Sequence, residues 1–401
     1  MAQRQRSSKP VYRRSYARQP HGGHQQTTSR PTFWTASKLL ILLAIAAIAI
    51  FLATKAFAVF MQSDSANANV VDGVTSSETG FDSTIVEGTP ERTVTLSFAG
   101  DCTLGTDVNF DATRNFDAMY KSVGDLSYFL ANVEPIFRED DITVVNMEGT
   151  LTELDTRVNK KFAFKGPLEY AEILPLGGVE VASFANNHDS DYGTQSHSDT
   201  VEALEGAGIV VASEDKIAYM TANGVKVAII GVYELDDHRE REEDVKRFIS
   251  TARSEGAELV VVFYHWGNER EYSPDENQIY MGHMAIDEGA DMVIGSHPHV
   301  IQGYENYNGR YIFYSLGNFC YGGHSNPADK DSMIVQKTFI FGPDGIRADD
   351  DVNVIPCSIS SSSTRNNYQP TPAEGAELDR MLAKIEELND NVQSALASYK
   401  G

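Results

Sequence analysis

Cysteine is scarce in this chain of 401 residues: there are three, Cys102, Cys320 and Cys357. None sits in a Cys-x-x-Cys spacing, which removes thiolate zinc, and three thiols permit at most one intramolecular disulfide with one left over. Acidic residues are missing altogether from positions 1–61, which carry nine Lys/Arg and no Asp or Glu. Residues 62–401 hold the remaining 24 basic side chains against 57 acidic ones, a charge of −33. A body so acidic repels phosphate backbones, which excludes nucleic acid as a partner. Internal repeats are absent, and long apolar runs are lacking with one exception near the N-terminus.

That exception runs from Leu39 to Thr54, sixteen residues without a charge, and continues past Lys55 to Met61. Sixteen helical residues reach about 24 Å, short of the ~30 Å hydrocarbon core. The 23 residues to Met61 suffice, with Lys55 snorkelling to one interface and Trp34 suited to the other. The basic flank (Arg4, Arg6, Lys9, Arg13, Arg14, Arg18, Arg30, Lys38) predicts a cytoplasmic N-terminus, with residues 62–401 outside the cell membrane. A cleaved signal peptide is the competing reading, because Ala56-Phe57-Ala58 and Ala66-Asn67-Ala68 resemble cleavage sites. A basic region of 38 residues is long for one. The sequence thus predicts a disordered basic tail over 1–33, a single transmembrane anchor over 34–61 and a polar linker over 62–92.

Order is expected from Val94-Thr95-Leu96-Ser97-Phe98, a period-two alternation. Further strand candidates are Ile142–Val145, Val179–Phe184, Val225–Gly231, Leu259–Tyr264, Met292–Ile294 and Tyr311–Tyr314, and helical patterns lie at Met119–Ala131, Gly193–Ala207, Asp244–Glu255 and Pro274–Glu288. Such alternation indicates an α/β layered domain with partly parallel sheets, here over 93–345. An extension over 346–401 follows. It opens on Thr371-Pro372-Ala373-Glu374, which reads as a capping box, and carries Leu378, Met381, Ile385, Leu388, Val392 and Leu396 at helical spacing, a stripe suited to docking on the domain.

The polar residues concentrate where these strands end. Phe98-Ala99-Gly100 runs into Asp101, and Val144-Val145 into Asn146-Met147-Glu148. Ser183-Phe184-Ala185 runs into Asn186-Asn187-His188-Asp189, Val262-Phe263-Tyr264 into His265-Trp266-Gly267-Asn268-Glu269, and Val293-Ile294 into Gly295-Ser296-His297-Pro298-His299. Ligands of open α/β sheets gather beyond the carboxyl ends of strands. One His after a strand is ordinary loop chemistry, whereas five such ends together predict a site. Carboxylates, imidazoles and an amide oxygen form a mixed N/O set suited to one or two divalent ions of manganese, iron or zinc rather than calcium or magnesium. With a bridging carboxylate, two ions about 4 Å apart activate a water and clamp a phosphoryl oxygen. His188 beside Asn187 is placed to protonate a leaving group.

Seven motifs, in order over about 94–325, resemble the CapA family, bacterial proteins associated with poly-γ-glutamate capsule synthesis: Gly100-Asp101, Asn146-Met147-Glu148-Gly149, Ala185-Asn186-Asn187-His188, Asp191-Tyr192-Gly193, His265-Trp266-Gly267-Asn268-Glu269, Gly295-Ser296-His297-Pro298-His299 and Ser315-Leu316-Gly317-Asn318-Phe319. The family is similar to calcineurin-like metallophosphoesterases. The resemblance therefore implies a four-layer α-β-β-α sandwich, here preceded by one transmembrane helix and followed by a C-terminal helix. It implies metal ligation by Asp101, Glu148 (the bridging candidate), Asn187, His265 and one or both of His297 and His299, with His188 as the acid. Asn146 and Glu269 are candidates for substrate contact. Two departures stand out: the phosphoesterase Asp-x-His motif reads Asp101-Cys102-Thr103, and Glu148 replaces an Asp. Ser315–Phe319 reads as a turn beneath the site, and a Cys102–Cys320 disulfide beside it is open. The implied function is a membrane-anchored, metal-dependent phosphoesterase-like hydrolase acting on an anionic envelope polymer or phosphorylated substrate. The alternative is a non-catalytic accessory subunit of a membrane biosynthesis complex.

Overall fold

The structure, a computed structural model, describes residues 91–343, 345–347 and 351–400. The expected tail, the anchor and all but the last two positions of the linker lie outside the described residues. Among the described residues no helix is long and apolar enough to cross a membrane.

Two mixed sheets carry the fold. The first has the spatial order β14 (Thr371–Pro372), β13 (Asn353–Ser358), β12 (Asp331–Gly342), β1 (Arg92–Thr103), β2 (Ile142–Met147), β3 (Val181–Ser183) and β4 (Val210–Ala212). A further short strand, β11 (Asn318–Tyr321), pairs with the far end of β1. Strands β1 to β4 are parallel, and β12 runs antiparallel to β1. The second sheet has the order β9 (Ile301–Tyr307), β10 (Arg310–Leu316), β8 (Met292–Ser296), β7 (Leu259–His265), β6 (Val225–Tyr233) and β5 (Ala218–Ala222). It is parallel from β6 through β7 and β8 to β10.

Side-chain alternation decides what each face does. Leu96, Phe98, Ile142, Val144 and Val181 of the first sheet share one core with Val227, Ile229, Leu259, Val261, Phe263, Met292 and Ile294 of the second. The sheets therefore pack face to face. Their outer faces bury helices: α1 (Phe116–Val123) and α2 (Thr194–Gly206) on the first, α3 (Glu242–Ser254) and α4 (Glu276–Asp287) on the second. Central strands buried on both faces, such as Leu259–His265, explain why the sequence reads there as a continuous apolar run. The same parity aims Asn146, Glu148, His265 and Ser296 into the seam between the sheets. For β1 the parity is reset: the register slips between Ala99 and Asp101, which turns Cys102 to the outer core and Asp101 to the seam. Gly100 makes this possible, because a Cβ there would stand 1.8 Å from Gly317 O, whose carbonyl accepts from Asp101 N at 3.0 Å.

The C-terminal helix α5 (Gly375–Ser398) buries Met381, Ile385, Leu388 and Val392 and packs against β9. Its backbone touches the strand at Gly303, where a Cβ would meet Leu388 O at 2.5 Å and Asn389 N at 2.8 Å. Backbone atoms on both sides cannot swing away. Gly303→Ala is therefore expected to lift α5 and destabilise the protein by about 1–3 kcal/mol, measured by denaturant unfolding; an unchanged midpoint would show that α5 contributes little.

Two local expectations change. The helix expected over Met119–Ala131 breaks at Gly124, which has φ 68° and closes α1; Asp125 then caps a separate 3-10 turn by accepting from Ser127 N. Thr371-Pro372-Ala373-Glu374 is not a capping box. Thr371 and Pro372 form β14 against Ser358 and Cys357, and the Thr371 hydroxyl binds Gln369 O and Asn132 rather than the helix. Glu374 becomes the N-cap without a side-chain bond.

Candidate metal site and cleft

Glu148 is the centre of the cluster. It is fully buried just past β2; Oε2 accepts from Thr103 Oγ1 at 3.2 Å, while Oε1 has no hydrogen-bond partner among the described residues. Three imidazole Nε2 atoms surround that oxygen, His299 at 3.7 Å and His188 and His265 at 4.0 Å each. An unpaired buried carboxylate oxygen is costly. The gap between it and the imidazoles is the space a cation would occupy.

Two groups bring ligand atoms within 4.8 Å of one another, Glu148/His265/His297 and Asp101/Glu148/His299, and Glu148 belongs to both. Ser296 Oγ donates to Tyr264 O and so accepts from His265 Nδ1, at 3.0 and 3.1 Å. Asn146 Nδ2 also lies 3.3 Å from that Nδ1, and His265 Nε2 faces Asn187 Oδ1 at 3.0 Å and His297 Nδ1 at 3.1 Å. Burial, reinforced by the neighbouring histidines, holds His265 well below its usual pKa and His297 down at about 3, so both are neutral and able to ligate. His299 differs. Burial lowers it, but Glu148 and Asp101 outweigh burial and raise it to about 10. Its Nδ1 lies 3.2 Å from Asp101 Oδ2 and 3.0 Å from Asn318 Oδ1. His297 and His299 both adopt positive φ, 94° and 57°, backbone strain held in place at the cluster.

His188 stands at the edge of this cluster, on the wall of a cleft of about 1030 Å³. Its Nδ1 lies 2.7 Å from Asp191 Oδ2, and its ring lies 4.5 Å from that of Phe164. Asp191 is itself buried, bonded to Lys160 and to Phe164 N. The pair fixes the ring and leaves Nε2 to face the site.

All the sequence-derived ligands come together: Asp101, Glu148, Asn187, His265, His297 and His299 from five segments of two sheets. Glu269 lies exposed on the cleft wall. Asn146 does not line the cleft. It is fully buried, its Nδ2 bonded to Asp101 Oδ1 at 2.7 Å and its Oδ1 to Asn186 Nδ2 at 3.1 Å, a position that suits bracing the candidate ligand Asp101. Sequence reasoning gave no role to Asp191, Lys160, Ser296 or Asn318; the motif Asp191-Tyr192-Gly193 was the available signal for the first. Asn318 follows the turn at Gly317, and its Nδ2 also donates to His299 O at 3.0 Å.

The open disulfide is absent: all three cysteines are free and buried. Burial raises Cys102 and Cys357 to about 12 and Cys320 well above the usual thiol range. Ellman's reagent at pH 8 is expected to find no reactive thiol in the native protein and three after denaturation; rapid native labelling would contradict this packing.

The family model for bacterial capsule synthesis protein PGA_cap matches residues 95–322. The chain is 31% identical over 264 residues to the PGA biosynthesis protein CapA of Bacillus subtilis, covering 61% of this chain and 67% of that one. It is 28% identical over 333 residues to the capsule biosynthesis protein CapA of Bacillus anthracis, covering 77% and 76%. With a probable polyglutamine synthesis accessory protein of Mycobacterium tuberculosis it shares 28% over 227 residues, covering 46% and 58%. The span matched by the family model contains every site residue named above and ends before β12 and α5.

Proposed function

We infer, from the premise that this chain belongs to the bacterial capsule synthesis protein (PGA_cap) family, that it serves the making of a poly-γ-glutamate-type capsule or envelope polymer. Residues 34–61 would hold it in the cell membrane, with residues 62–401 on the outer face. Its site reads as a metal-dependent, phosphoesterase-like hydrolase on a sandwich of the metallophosphoesterase type. The observation that carries this reading is the orphaned Glu148 Oε1 inside a ring of imidazoles.

The donor set fits one or two divalent ions of manganese, iron or zinc, which would be held by Asp101, Glu148, Asn187, His265, His297 and, on displacement of its proton, His299. When bound, such ions supply Lewis acidity and lower the pKa of water. The chain's own contribution is positional. Asn146 and Ser296 lock the orientations of Asp101 and His265, Asn318 holds His299, and Asp191 fixes His188 so that Nε2 can give a proton to a leaving group at the cleft. The test is turnover of a phosphodiester and a phosphomonoester, bis-p-nitrophenyl and p-nitrophenyl phosphate, by the full chain in detergent with added manganese. Hydrolysis abolished by chelation is the expected result.

A second reading is supported by Thr103. It stands where phosphoesterases of the resembled superfamily carry a ligand histidine, and its hydroxyl instead donates to Glu148 Oε2. A site with one fewer ligand suits an accessory subunit that binds polymer, within a membrane biosynthesis complex, without cleaving it. Metal retained with no hydrolysis of either ester would favour this reading.

A further inference from the structure

The cleft beside the metal site carries cations that the site's chemistry does not use. Its wall includes Arg270, Lys330, Arg380 and Lys384. Two of them are committed. Arg380 binds both oxygens of Asp331, at 3.0 and 2.5 Å, and also Glu377; Lys384 binds Asp329 at 2.8 Å and Asp331 at 2.7 Å. The other two are not. Among the described residues neither the Arg270 guanidinium nor the Lys330 ammonium has an ion pair or a side-chain hydrogen bond, although residues 62–401 carry 57 carboxylates.

Their placement follows from the backbone. Arg270 lies in the loop after β7, tied by its N–H to Pro298 O at 2.8 Å, next to the His297–His299 turn. Lys330 sits between Asp329 and Asp331, and both of those side chains turn to α5. Tyr272 OH donates to Asp329 Oδ2 at 2.8 Å and joins the two walls. The paired cations thus build the wall, and the unpaired ones, on two separate segments of it, remain available to a ligand. A single small anion needs only one such position. Two, on separate segments of the wall of a cleft that His188 and His299 also line, match a chain with repeated negative charges.

We propose that Arg270 and Lys330 form a carboxylate-binding track that seats an acidic polymer chain in the cleft and sets specificity for it. The track rests on the polymer reading given above but not on hydrolysis. It also uses a segment, Lys330 with its α5-anchored neighbours, that lies beyond the span shared with the family model.

The experiment uses the full chain in detergent, a fluorescent γ-linked glutamate oligomer as probe, and anisotropy as readout. Arg270→Gln/Lys330→Gln is expected to weaken binding at least about tenfold, with unchanged metal content and melting temperature. Unchanged affinity in the double variant, or no binding of the oligomer by the wild type, would overturn the track. Displacement of the oligomer by an equal concentration of inorganic phosphate would also overturn it, by assigning the cations to a single free anion. Metal content read on the same samples separates the two failures: metal present without a track leaves the metal site standing.

Discussion

Glu148→Gln is expected to abolish the dependence of the melting temperature on divalent metal. Both candidate ligand groups use Glu148, so its loss removes a negatively charged donor from each. A ligand held at a hundred times its dissociation constant stabilises the folded state by about 2.7 kcal/mol. For a domain of this size, chelation of the wild type should then lower the melting temperature by about 5 °C. The variant should respond by less than about 1 °C. In metal-free buffer Glu148 is a fully buried carboxylate with one unpartnered oxygen, its pKa raised chiefly by burial. The amide relieves the burial of charge, but it leaves an unpartnered polar atom in the same place and removes the charge that faces His299. Differential scanning fluorimetry with and without chelator reads the metal response. A full chelator response in Glu148→Gln would show that the carboxylate holds no ion.

His188→Ala should lower turnover by about 10²–10⁴-fold while leaving metal content unchanged. The residue belongs to neither candidate group, and its Nδ1 is committed to Asp191, so the role proposed for it is proton transfer rather than ligation. Asp191→Asn is expected to give a smaller loss, because the imidazole stays in place but loses the carboxylate that sets its tautomer. Steady-state hydrolysis of p-nitrophenyl phosphate, with elemental analysis of each variant, distinguishes the roles. Unchanged turnover in His188→Ala would remove the acid assignment, and loss of metal in that variant would make His188 a ligand.

The candidate ligand cluster was legible because strand parity and strand ends are written in local sequence. Val144-Val145-Asn146-Met147-Glu148 alternates between the inter-sheet core, the outer core and the seam, and anyone reading the alternation can place Glu148. Leu259–His265 ends on the same parity. What local sequence does not carry is the partner across space. Asn146, at a strand end, reads as a candidate for substrate contact, yet it is enclosed by Asp101, Asn186 and His265, which come from other segments. The same holds for Asn318 and Thr371: the turn beneath the site also supplies the amide that holds His299, and the threonine expected to cap a helix forms an edge strand. Strand β12 escaped notice because Gln336, Lys337 and Thr338 interrupt its apolar run. With it went the cleft wall, which needs Asp331 and α5 to meet.

Elemental mass spectrometry of the full chain, purified in detergent, tests the central claim most directly, with Asp101→Ala/His297→Ala as its partner. Near-stoichiometric manganese, iron or zinc in the wild type, lost in the double variant, is the result this account predicts. No transition metal in either protein, even after reconstitution, would contradict it and leave Glu148 Oε1 as an unexplained buried charge.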